Sequence, residues 1–235
     1  MDRFVHDKAE TIVFPGWGVP RELYFDAFEQ TSPESVDIVD YGFFNDEESP
    51  LNTPIFDQEE DLPPVIVGHS MGALFAVRLA LQNLEAVRRL ILVNPFPKFV
   101  RDDTFPCGWK RDAVTAMRNG LRTRPPTVIR SFLRSCAMPE KYPGMFPETF
   151  NIQALDEGLA FIEESDIRAE LELLTDAIPV FVLDGNADQI VNPEMTSVLA
   201  DACSAVRHTF PGWGHLMLLQ HPVECSEALR EMTTL

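Results

Sequence analysis

The chain has few cysteines, few positive charges for its size, and no long apolar run. Its 235 residues include 4 cysteines (Cys107, Cys136, Cys203 and Cys225), with no C-x-x-C spacing and no metal-like cluster among them. That pattern argues against a disulfide framework and reads as reduced thiols in a cytoplasmic protein. The opening residues, MDRFVHDKAE, are charged and lack the apolar stretch of a secretion signal. No apolar run approaches the length of a membrane span. Lys and Arg total 19 against 37 Asp and Glu, a net charge of −18. So acidic a body repels nucleic acid and anionic lipid, and neither is expected as a partner.

What is present fits one sizeable core. Hydrophobic residues make up 45% of the chain and charged residues 24%, the balance of a globular domain large enough to need no staples. Short β-branched runs alternate with helical patterns. Strands are expected at TIVF (11–14), SVDIVDY (35–41), PVIVGH (64–69), RLILVN (89–94), IPVFVLD (178–184) and VRHTF (206–210). Helical spacing marks 20–30, 71–84, 193–203 and 222–232. This alternation predicts an α/β fold, a mostly parallel sheet with helices on both faces. The stretch 43–64 is acidic and turn-rich and reads as a solvated connection with a short helix.

The rhythm breaks between 96 and 176. Pro-punctuated helical patterns at 111–121, 126–137 and 149–163 replace strands, which predicts a helical cap (96–176) inserted into a core made of 1–95 and 177–235. Charge also changes here. From Lys98 to Lys141 there are ten basic residues and four acids, a net +6 in 44 residues, while the other 191 carry −24.

The residues with the most chemical content are Gly68-His69-Ser70-Met71-Gly72, a G-x-S-x-G between a strand and a helix with almost no loop. A serine at the tip of so sharp a turn needs flanking residues without Cβ atoms, and the helix that follows aims its positive end at the hydroxyl. Serine needs a base, and the base needs an acid to orient it. VFVLDGNADQIVNP offers Asp184 and Asp188; Asp188 is preferred because it lies in the loop, while Asp184 closes the strand and reads as a turn residue bonding the Gly-Asn amides. Among the histidines, His6 precedes the fold, His69 is tied to the elbow and points away from its own serine, His208 lies within a strand, and His221 starts a helix. His215, after the last strand in F-P-G-W-G-H, is the expected base. The same pentapeptide, FPGWG, follows the first strand at 14–18. There the Trp17 amide, together with that of Met71, can supply the two donors a tetrahedral oxyanion needs.

These motifs and their order resemble the α/β-hydrolase superfamily over nearly the whole chain. Within it, PGWG, TVIRSFL (127–133) and the run LDEGLAFIEESDIRAELELLTDAIPVFVLDGNAD (155–188) are similar to the pimeloyl-[acyl-carrier protein] methyl ester esterases of biotin synthesis. The chain departs from that family at His69, where it has tryptophan, and at Ala73, where it has a second glycine. The resemblance implies a serine carboxylesterase with Ser70, His215 and Asp188 as the triad and no metal or cofactor. It also implies an acyl carrier protein as partner, met by Arg118, Arg122, Arg130 and Arg134 on the basic cap, with Trp17 and Phe132 against the acyl chain. G-H-S-M-G-A is also similar to type II thioesterases, so a carrier-protein thioesterase or a short-acyl carboxylesterase is the alternative, and a non-catalytic binding protein on the same fold is a third.

Overall fold

A computed structural model describes residues 11–29, 36–45 and 63–233. His6 and most of the 43–64 connection lie outside these. Six parallel strands form one sheet in the order β2-β1-β3-β4-β5-β6. They are β1 (Thr11–Phe14), β2 (Val36–Ile38), β3 (Val65–His69), β4 (Arg89–Val93), β5 (Val180–Gly185) and β6 (Val206–Phe210). Every residue of β1, β3 and β5 is buried, which is why these segments read as continuous apolar runs and not as alternation. Val67 sits at the middle of the register, opposite Val13 on one side and Ile91 on the other. β6 is the edge and is largely exposed.

Strand order reverses between β1 and β3: the chain first steps outward to β2, then returns to β1's other side. In open parallel sheets a crevice forms outside the carboxyl ends of the strands at such a point. Both the first FPGWG loop and the G-x-S-x-G turn open into it. Behind them α1 (Glu22–Glu29) crosses from β1 towards β2, and α2 (Met71–Gln82) leaves β3. α2 is apolar on most of its surface because it is enclosed, with Met71 through Val77, Leu79 and Ala80 all buried.

Between β4 and β5 the chain forms α3 (Arg111–Thr123), α4 (Pro125–Ala137) and α5 (Ile152–Glu164). Pro125 suits the first helical position, where its missing N–H is no loss. Asn151 caps α5 by accepting Ala154 N–H at 3.1 Å. The segment leaves and rejoins the core at one clasp: Ile167 N–H donates to Pro97 C=O at 2.9 Å, and Lys98 Nζ lies 3.0 Å from Asp166 Oδ2. After β5 come α6 (Pro193–Ala202), then, following β6, α7 (Met217–Gln220) and α8 (Pro222–Thr233). Among the described residues no helix is long and apolar enough to cross a membrane.

Candidate active site

Ser70 occupies the turn between β3 and α2 with φ 55° and ψ −119°, a conformation that costs a residue with a side chain about 1–3 kcal/mol. The turn persists because its surroundings leave no alternative. Ser70 N–H donates to Val93 C=O at 3.0 Å, and its carbonyl accepts Ala73 N–H at 2.9 Å. Gly72 packs so close to β1 that a Cβ there would lie 2.0 Å from Phe14 O, and one on Gly68 would lie 2.7 Å from Ala73 Cα. The two glycines of the motif are thus required by backbone approach on two sides.

The expected base and acid meet across the top of β5 and β6. His215 Nδ1 lies 2.7 Å from Asp188 Oδ2, with both residues buried. Asp188 Oδ1 accepts the amides of Ile190 and Val191 at 2.7 and 3.0 Å. One carboxylate oxygen is therefore held by the backbone and the other by the imidazole, and among the described residues His215 Nε2 has no hydrogen-bond partner. Asp184 is a different matter. Its carboxylate does not bond the Gly-Asn turn amides expected from sequence; it pairs in two-pronged fashion with Arg207 at 2.8 and 2.7 Å and accepts Thr209 Oγ1 at 2.8 Å. β6 lies directly alongside β5 and offers a guanidinium that the turn cannot match.

The two FPGWG segments come to the same edge of the sheet. The second is stitched to the Asp188 loop, with Ala187 N–H donating to Trp213 C=O at 2.9 Å and Gly212 N–H to Asn186 Oδ1 at 2.7 Å. Trp213 stacks between Phe210, at 4.2 Å, and His221, at 4.0 Å. Trp17, by contrast, is turned into the cap: its indole N–H donates to Leu155 C=O at 2.9 Å, and Phe132 meets it edge-on at 4.8 Å. Among the described residues the Trp17 and Met71 backbone amides have no acceptor, while the neighbouring Gly16 N–H donates to Tyr24 Oη at 2.8 Å.

Three buried residues were not legible as parts of this site. Asn94, just past β4 with φ 44°, donates through Nδ2 to His215 C=O at 2.8 Å and accepts Gly185 N–H at 3.0 Å. Tyr24 Oη lies 2.5 Å from His69 Nδ1, and His69 Nε2 lies 2.8 Å from His215 C=O. Burial, with His215 close by, lowers the His69 pKa to about 3, so the ring is neutral. A histidine next to the serine and another in the last loop were visible in the sequence; their contact across 146 residues was not.

The four arginines expected to meet a carrier divide into two sets. Arg118 on α3 is gripped by Asp156 of α5 at 2.8 and 3.0 Å and by Glu163 at 3.2 Å. Arg122 touches Asp156 only at 3.5 Å and is largely exposed. Arg130 and Arg134, on α4, lie over the Phe146 ring at 5.9 and 5.2 Å from its centre and form no ion pair among the described residues.

A parallel sheet, a strained serine after β3 and an Asp–His pair after β5 and β6 define a class, and comparison with known proteins gives the same one: residues 8–228 match the model of the alpha/beta hydrolase family. The chain belongs to that family. Its particular relatives include the pimeloyl-[acyl-carrier protein] methyl ester esterase of Xanthomonas oryzae pv. oryzae (strain MAFF 311018), to which it is 27% identical over 93% of this chain and 92% of that one. The protein of the same name from Nitrosomonas europaea is 30% identical, over 70% of each chain. Among solved structures, an esterase from Exiguobacterium antarcticum superposes with a TM-score of 0.79 at 19% identity, over 96% of this chain and 91% of that one. A bromoperoxidase from Bacillus anthracis does so at 0.76 and 16%, over 97% and 93%. At these identities the structures speak for the fold alone.

Proposed function

We propose that the protein is a cytoplasmic serine carboxylesterase that hydrolyses the methyl ester of a pimeloyl group held on an acyl carrier protein. The observation that carries this reading is the buried Asp188–His215 pair at 2.7 Å, whose main chain is met at 2.8 Å by His69, the residue before the strained Ser70, in a chain similar over nine-tenths of its length to esterases of that name. Ser70 Oγ attacks the ester carbonyl while His215 Nε2 takes its proton. The carbonyl π pair moves to oxygen, where the Trp17 and Met71 amides receive it. Collapse of the tetrahedral species breaks the C–O bond to the methoxy group, and His215 returns the proton so that methanol leaves. Water then attacks the acyl-enzyme by the same route, yielding a free carboxyl group and Ser70. Trp17 and Phe132 wall the acyl chain. Arg130 and Arg134 on α4, and the exposed Arg122 on α3, face the acidic carrier, while Arg118 braces α3 against α5.

Incubating a methyl-pimeloyl carrier with the protein and weighing the products by mass spectrometry tests this. Loss of the methyl group with the acyl chain still on the carrier is expected. Release of the free carrier thiol would replace the esterase with a thioesterase. Equal turnover of carrier-bound and small methyl esters would remove the carrier from the account.

A further inference from the structure

Behind Ser70 runs a hydrogen-bonded path that no step of the proposed chemistry uses. Tyr24 and His69 are both fully buried. Burial raises the Tyr24 phenol far above its usual range, so it keeps its proton. Its oxygen accepts Gly16 N–H at 2.8 Å, and its own hydrogen goes to His69 Nδ1, 2.5 Å away. In a neutral imidazole the remaining hydrogen is then on Nε2, which donates to His215 C=O at 2.8 Å. Each member's orientation is set by its neighbour. Asn94 reaches the same carbonyl at 2.8 Å from another strand end.

Two apolar rings could fill this space without the desolvation cost of two polar ones, so the polar groups need a use. Their partners suggest it. One end of the path is the amide immediately before Trp17, and the other is the carbonyl of the base. We propose that Tyr24 and His69 are positioning residues, holding the Trp17 oxyanion amide and the His215 imidazole in one register around Ser70. Neither touches the ester, and the proposal rests on the serine-hydrolase reading of the site. Gly16 N–H, engaged from behind, fixes the Pro15–Gly16 peptide plane, Gly16 C=O accepts Val19 N–H at 3.4 Å in the next plane, and the Trp17 N–H is the donor left to face the substrate. With the His215 carbonyl held by His69 and Asn94, the imidazole reaches from a fixed main chain to Asp188 Oδ2. The path also ties Gly16 to the elbow itself, since a Cβ on Gly16 would lie 3.2 Å from His69 Nδ1 and 3.4 Å from Ser70 Cβ.

Three variants separate positioning from packing. Tyr24→Phe keeps the ring and removes the hydroxyl. His69→Gln keeps an acceptor for Tyr24 and a donor for His215; His69→Leu keeps neither. Each is compared with wild type for hydrolysis of p-nitrophenyl butyrate, for the rate of Ser70 labelling by a fluorophosphonate, and for Tm. Tyr24→Phe and His69→Leu are expected to lower kcat and labelling about tenfold or more with KM within about twofold, since small misplacements of reacting groups act on the transition state. His69→Gln should regain most of the loss. Should His69→Leu not fold, Tyr24→Phe decides, because it preserves the packed volume. Wild-type rates in Tyr24→Phe would overturn the proposal, as would His69→Gln behaving no better than a foldable His69→Leu. A wild type that labels and cleaves the small ester, but not the carrier ester, removes only the carrier reading, and the variant rates then decide this one. A wild type that does not label at all overturns both.

Discussion

At Asp188 a single carboxylate is shared between backbone and base, which makes it the sharpest residue-scale test. Asp188→Asn preserves shape and can still accept Ile190 and Val191 N–H, but it presents an amide to His215 Nδ1 and so favours the wrong tautomer. A fall in kcat of roughly 10³- to 10⁴-fold with Tm changed by only a few degrees is expected; a loss under tenfold would show that Asp188 does not orient the base. His69 yields a pH prediction. Its folded pKa is about 3, whereas an unfolded histidine titrates near 6.5. Between those values the unfolded state binds the extra proton, so the contribution of the neutral ring is complete above about pH 6.5 and is lost as pH falls towards 3. The slope is about 1.4 kcal/mol per pH unit within that window. His69→Gln should flatten this acid limb in urea titrations run from pH 7 to 4, and an unchanged slope would mean that the ring does not bury its neutral form. The contrast between these residues shows what sequence can carry. Ser70, Asp188 and His215 could be singled out as candidates because each sits in a short motif at a strand end, and the structure pairs the last two. Tyr24, His69 and Asn94 could not, since their partners are defined only by distances across the fold.

At the scale of elements, all six strands stand where their β-branched runs predicted; for β1, β3 and β5 the reason is that a strand buried on both faces leaves an unbroken apolar signature. β2 is the exception in length: Val36–Ile38 is what remains of an expected 35–41, as β1 offers it partners only through Val13. α7 has no counterpart in the sequence reading, since four residues are too few to display a period. The cap helices fell within a few residues of expectation, yet their inner charge pairing was invisible. Ten basic residues in a run look like one surface, but the acids that match some of them come from α5, outside the run. Arg118→Glu should therefore lower Tm by several degrees, because it sets a third carboxylate against Asp156 and Glu163. Arg130→Glu and Arg134→Glu, over the Phe146 ring, should leave Tm within about two degrees. Differential scanning fluorimetry on the three variants checks this, and equal Tm losses would place all three arginines in the cap's own scaffold.

For the whole molecule, charge is unevenly spread: residues 98–141 carry a net +6 and the rest of the chain −24. If that basic stretch steers a carrier, kcat/KM for a carrier-bound ester should fall several-fold between about 0.05 and 0.5 M salt while that for a small neutral ester stays flat, because screening acts on the encounter and not on the buried pair. Parallel slopes for the two substrates would assign the effect to the enzyme itself. The cap and the catalytic edge also share a residue. Trp17 has its indole N–H on Leu155 of α5, its ring against Phe132 of α4, and its main chain in the loop that follows β1. Anyone wishing to adapt the pocket to longer or branched acyl chains meets a constraint here. If Trp17 walls the acyl chain and holds the oxyanion as proposed, shortening it would widen the pocket and loosen that amide in the same step, trading speed for range. Phe132 meets Trp17 from α4 alone, so on the proposed reading substitution there alters substrate choice and leaves the anchors of the Trp17 loop in place.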